Sequence, residues 1–200
     1  MSDVAPPAGP AVSAFFAPVH DTPEHIRLAE ELGFESAWVY DSPLLYNDPF
    51  ITLARAAERT SRIRLGIGLI VPRLRVPVAT AAALRTLTAL APGRVRAAVG
   101  AGFTGRFTLG LGPVPLGALE AEVGELRALL AMREAPHPEG GNPVLPTPVR
   151  GAATDGDVEI VISCRGVKAQ ALAGRLGDGA LTGIFYPGGL GELVAGLGRE

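Results

Sequence analysis

Pro92-Gly93-Arg94-Val95-Arg96-Ala97-Ala98-Val99-Gly100-Ala101-Gly102-Phe103-Thr104-Gly105 reads as a turn, a short apolar strand and a run of glycines, and Gly110 and Gly112 follow. A buried strand that empties into glycines lets a backbone approach a ligand closely, because no Cβ stands in the way. The layout of strand, loop and helix recurs on both sides of this stretch, and that recurrence decides the fold.

Upstream, residues 12–18 form a first apolar strand. Thr22 is a candidate N-cap with Pro23 at the first helical position, and the helix over 23–32 turns Ile26, Ala29 and Leu32 to one face until Gly33 ends it. Residues 35–41 make a second strand, and Asp48-Pro49 opens a helix to about Thr60 carrying Ile51, Leu53, Ala54 and Ala57. A third strand over 63–71 contains Gly66 and Gly68, which suggests a bulge. The helix over 77–90 is apolar nearly all round and so asks for cover on more than one side.

After the fourth strand, residues 116–132 space Leu119, Val123, Leu126, Leu129 and Leu130 at three and four, opposite Glu120, Glu122 and Glu125. A fifth strand covers 158–163, a helix 168–176, a sixth strand 180–185 and a short last helix 190–197. The chain divides into a flexible leader over 1–11 and a single α/β domain over 12–200, with an irregular Pro/Gly-rich connection at 133–157.

Six β-then-α units in alternation imply parallel strands with right-handed crossovers. Both a doubly wound sheet and a (β/α)8 barrel fit that pattern, and six units fall two short of a complete barrel. Gly100, Gly102 and Gly105 also spell the dinucleotide fingerprint, with Glu120 and Glu122 about twenty residues on. Those glutamates lie on a helix, whereas the dinucleotide acid ends a second strand.

Composition excludes several classes. Hydrophobic residues make up 48% and charged ones 19% of 200 residues, so the chain can build a core. A net charge of −2, with Lys168 the one lysine, leaves no basic footprint for nucleic acid. One cysteine, Cys164, excludes an internal disulfide, and three scattered histidines give no metal-site pattern. Cys164 reads as a small buried apolar residue. Apolar stretches at 107–119 and 179–190 are broken by Gly and Pro and too short for a membrane span. A cytoplasmic protein is expected.

The order and spacing of several pieces resemble the luciferase-like flavin- or deazaflavin-dependent oxidoreductases. The pieces are Leu28-Ala-Glu-Glu-Leu-Gly-Phe34, Ala37-Trp-Val-Tyr-Asp41, Asp48-Pro-Phe-Ile-Thr-Leu-Ala54, the run from Ala57 to Gly66, Gly100-Ala-Gly102 and the run from Ala173 to Gly179. The resemblance implies a TIM-barrel-type fold, here an incomplete barrel of about six of eight (β/α) units. It also implies FMN or a deazaflavin coenzyme at the C-terminal strand ends.

Asp41, Gly68, Leu69, Ile70, Gly100 and Gly102 would then lie near the ring, with a non-proline cis peptide at the end of the third strand. Arg165, Gly166, Val167 and Lys168 would hold the phosphate. That assignment has separate physical support, since a helix N-terminus offers free N–H groups and a positive dipole end.

Two departures stand out. Relatives often carry His after the strand-two Asp and an acid after the strand-four Gly-x-Gly; here these are Ser42 and Phe103. Asp41 and Ser42 remain the catalytic candidates. The expected activity is hydride transfer or monooxygenation of a small organic substrate. The alternative is a truncated, catalytically degenerate relative that binds cofactor weakly or forms a homodimer.

Overall fold

The computed structural model describes residues 11–135 and 158–183, with 191 and 195 placed singly. The expected leader, His137 and most of the 133–157 connection and of the last helix lie outside the described residues. The elements are β1 (Ser13–Phe16), α1 (Thr22–Glu31), β2 (Ser36–Val39), α2 (Pro49–Ala57), β3 (Arg64–Ile70), α3 (Pro77–Leu90), β4 (Val95–Val99), α4 (Thr104–Phe107), α5 (Leu116–Leu130), β5 (Val158–Ser163), α6 (Val167–Leu176) and β6 (Gly179–Leu181).

The six strands pair in chain order and all in parallel. A doubly wound sheet breaks that order at a switch point; an unbroken order with right-handed crossovers keeps every helix on one face, as in a barrel. The two faces of the sheet are accordingly unlike. On the helix side Leu65, Ile67, Val95, Ala97, Val99, Ile160 and Ile162 join Leu53, Leu84, Leu119, Leu126 and Leu172 in the main core. On the inner side Trp38, Ala98 and Val161 form a small cluster with Leu69 and Leu181. The result is six successive (β/α) units of an incomplete TIM-type barrel, with β1 and β6 as its edges among the described residues.

Inner-face charges sit at the N-terminal strand ends. Arg64 pairs with Glu35 (3.3 Å) and Glu159 (3.1 Å), and Arg96 pairs with the same two carboxylates at 3.1 and 2.8 Å. Each guanidinium thus bridges both acids and closes a four-membered ring.

Local chemistry explains most element boundaries. Asp48 caps α2, its Oδ1 accepting from the N–H groups of Phe50 (2.8 Å) and Ile51 (3.0 Å). Thr22 is not a cap: Asp21 holds that position, while the Thr22 hydroxyl accepts from Val19 N–H and donates to the Ala17 carbonyl, tying the β1–α1 turn. The carboxylate of Glu30 accepts from Ser61, Arg62 and Ile63 N–H, which fixes the approach to β3.

Leu32 and Ile51 point to solvent rather than to the core. Helix α3 packs on α2 and α5. Its outward face is Ala79, Ala82, Thr86 and Ala89, so the apolar look of its sequence is largely alanine and needs little further cover.

Candidate functional site

The C-terminal strand ends carry two hollows that share a wall. The first, of 270 Å³, is lined by Phe15 from β1, Tyr40, Asp41 and Ser42 after β2, Gly68, Leu69 and Val71 at the end of β3, the Gly102–Gly105 turn, and Ser163 and Leu181. The second, of 640 Å³, runs from Leu69, Gly102 and Phe103 to Val114 and Leu119, and on to Arg165, Gly166, Val167 and Lys168. Leu69, Gly102, Phe103 and Ser163 border both, which makes one elongated trough.

The end of β3 shapes its floor. The Gly68-Leu69 peptide is cis, and the β3–β4 register shifts between Gly68 and Ile70. The extra residue puts Gly68 and Leu69 on the inner side together. It also turns Ile70 away into the helix-side core, so Ile70 does not line the trough as expected. A Cβ on Gly100 would lie 2.6 Å from Leu69 Cδ1 and 2.9 Å from Ser163 Cβ, so Gly100 makes room for Leu69 rather than meeting the hollow itself. Gly102 has φ +71° and its missing Cβ would run into Val71.

At the other end, Gly166 is the N-cap of the ten-residue α6, with no side-chain hydrogen bond on its free N–H groups. Arg165, Gly166, Val167 and Lys168 all border the second hollow there. The four residues expected at a phosphate thus border the same hollow as Leu69 and Gly102, two of those expected at a ring.

Asp41 and Ser42 border the first hollow and are both buried. The Asp41 side chain is 0% exposed; its Oδ2 accepts from Arg75 Nε at 3.3 Å, and its Oδ1 has no hydrogen-bond partner. Burial pushes the Asp41 carboxyl above the ordinary aspartate range, and Arg75 only partly opposes that. Arg75 also donates to Asp48 Oδ2 at 2.5 Å and lies 5.0 Å above the Phe50 ring. Burial works against the Asp48 carboxyl, but the Ile51 and Phe50 N–H groups and Arg75 bring it below its usual range.

This Asp41–Arg75–Asp48 unit was not legible in the sequence, since Arg75 stands 34 and 27 residues from its two partners. His20 and His25 are exposed and border neither hollow. Cys164 is buried, with its thiol pushed up by burial. Among the described residues no group of three or more His, Cys, Asp or Glu is placed to hold a metal ion. No described helix is long and apolar enough to cross a membrane.

A trough thus lies at the carboxyl ends of in-order parallel strands, with a bulged third strand at one end and a helix N-terminus at the other. A family model described as luciferase-like monooxygenase matches residues 2–197. The chain belongs to that family.

Among curated relatives it is 29% identical over 174 residues to a 5,10-methylenetetrahydromethanopterin reductase of Methanolobus tindarius, covering 85% of this chain and 52% of the relative. It is 33% identical over 181 residues to an F420-dependent glucose-6-phosphate dehydrogenase of Beutenbergia cavernae, covering 82% and 52%. The solved structure of the coenzyme F420-dependent tetrahydromethanopterin reductase of Methanopyrus kandleri superposes with a TM-score of 0.75 at 22% identity, over 94% of this chain and 59% of that one. The chain thus spans about half the length of these curated relatives.

Proposed function

We propose that the chain binds a deazaflavin coenzyme of the F420 type, or FMN, along the trough and serves a luciferase-like oxidoreductase acting on a small organic molecule. One observation carries this reading: a floor lined by Leu69, Val71, Gly68 and Gly102 is continuous with a helix N-terminus flanked by Arg165 and Lys168. The donor set fits a flat ring with a phosphate on a tether. The F420-dependent relative favours the deazaflavin.

Once bound, such a ring supplies the two-electron chemistry, by hydride exchange or, for FMN, by oxygen activation. This chain's residues do the rest. Leu69 and Val71 shape the floor and exclude water, and the N–H groups of Val167 and Lys168 with the Lys168 ammonium take the phosphate.

The test is a fluorescence titration of the purified chain with F420 and with FMN, repeated on Lys168→Ala. Saturable binding weakened roughly tenfold in the variant, about 1.4 kcal/mol, is expected. No binding of either cofactor at tens of micromolar sinks the reading.

A second reading has its own observation. The carboxylate nearest the ring end, Asp41, is enclosed, and Ser42 and Phe103 occupy the neighbouring positions. This favours a chain that holds cofactor without an acid–base group of its own, alone or as a homodimer.

A further inference from the structure

Two aromatic residues that line the ring-side hollow, Phe103 and Tyr40, each lead outward to exposed apolar side chains. On the β4–α5 side Phe103 and Phe107 stack with centroids 6.0 Å apart and planes 10° from parallel. They are 75% and 70% exposed, and Leu109 and Leu111 behind them are exposed as well. On the β2–α2 side Leu44, Leu45 and Tyr46 are exposed, with Tyr46 against Tyr40. Single exposed apolar residues mean little, but clusters rimming a cavity mark binding surfaces. Phe103 links the cluster to the trough, since it borders both hollows.

Charge along the trough is segregated. Among the described residues no lysine or arginine lines the ring-side hollow, and the one carboxylate lining it, Asp41, is enclosed and paired with Arg75. The lining cations, Arg165 and Lys168, stand at the far end.

We propose that the molecule acted on here is an uncharged apolar organic compound, seated against Phe103 and Phe107 at the mouth of the ring-side hollow. The proposal rests on the reading that the trough holds a flavin-type cofactor, whose phosphate occupies the cationic end. A carboxylate or phosphate on a substrate entering the hollow would have to leave water where no cation among the described lining residues meets it, which is strongly unfavourable. A neutral apolar molecule loses nothing comparable and covers phenyl surface now in water.

The experiment uses the single tryptophan, Trp38, which stacks on Phe15 at 5.8 Å, and Phe15 lines the hollow. Its fluorescence is followed while the full chain, with and without cofactor, is titrated with 1-octanol, octanoate and glucose 6-phosphate. Octanol and octanoate share an apolar chain and differ in charge.

Octanol is expected to saturate at least tenfold more tightly than octanoate, and glucose 6-phosphate to give no saturable change. Phe103→Asp and Phe107→Asp, both at exposed positions, should each weaken octanol at least tenfold with the far-ultraviolet circular dichroism unchanged. Equal affinity for octanol and octanoate overturns the proposal. So does unchanged octanol affinity in both variants, including the case where Phe107→Asp alters only the mass seen by light scattering, which makes the patch a self-association surface. Cofactor that binds without an octanol preference overturns this proposal alone. Failure of cofactor to bind overturns the reading beneath it.

Discussion

Gly102 combines a φ of +71° with a missing Cβ that would overlap Val71. Gly102→Ala should therefore cost about 1–3 kcal/mol in urea unfolding and weaken cofactor binding, whereas Gly112→Ala, with open space around it, should be near neutral. Arg75 is the counter-charge of a buried carboxylate. Arg75→Met should destabilise the chain by about 3 kcal/mol at neutral pH. The pH dependence follows from Asp41, whose folded pKa is raised by burial. The folded state holds that proton more tightly than the unfolded chain, so the stabilisation is full below the ordinary aspartate pKa and is lost as pH rises through the raised value. Removing Arg75 extends that loss upward, and the penalty of Arg75→Met should be smaller at pH 5 than at pH 8. The glycines were readable from sequence because a backbone need leaves a glycine behind. The role of Arg75 was not, because its partners Asp41 and Asp48 lie 34 and 27 residues away.

Helix α5 shows how far periodicity reaches at the scale of one element. Leu119, Val123, Leu126, Leu129 and Leu130 are all buried, as their spacing predicts. Glu122 belongs by sequence to the polar face, yet it is half-buried, with Arg73 of the β3–α3 loop beside it. Burial, with Glu125 nearby, pushes its pKa up to about 7, against the opposing pull of the Arg73 backbone N–H and charge. The folded chain therefore binds this proton more tightly than the unfolded one. That adds stability below the ordinary value of 4.5, lost as pH rises to about 7. Glu122→Gln should flatten the stability profile across that window and leave the protein about 2 kcal/mol more stable than the parent at pH 8. A profile still sloping in the variant would assign the titration elsewhere. Helix α4 escaped the sequence reading because Gly105 within it reads as a breaker; there the glycine lets the turn pack on Asp41 O and Leu74, both 3.1 Å from the Cβ it lacks.

For the whole molecule, alternation of strand and helix was enough to predict parallel strands, while the choice between a wound sheet and a barrel segment needed the strand order. The resemblance pointed to the barrel; the unbroken order β1 to β6 and the single helix-bearing face establish it. Self-association into a homodimer should show as twice the chain mass in light scattering, and a stable monomer would remove that part of the proposal. The charge ring at the N-terminal strand ends was invisible in sequence, since Arg64 and Glu159 are 95 residues apart. That separation has a kinetic consequence. A contact spanning so long a loop closes only after the intervening units have assembled, so it contributes little to the folding barrier. Glu159→Gln should accordingly speed unfolding in stopped-flow chevrons by about fivefold while the folding arm stays in place. The ring then acts as a kinetic latch, slowing the escape of β5 from a sheet that forms without it.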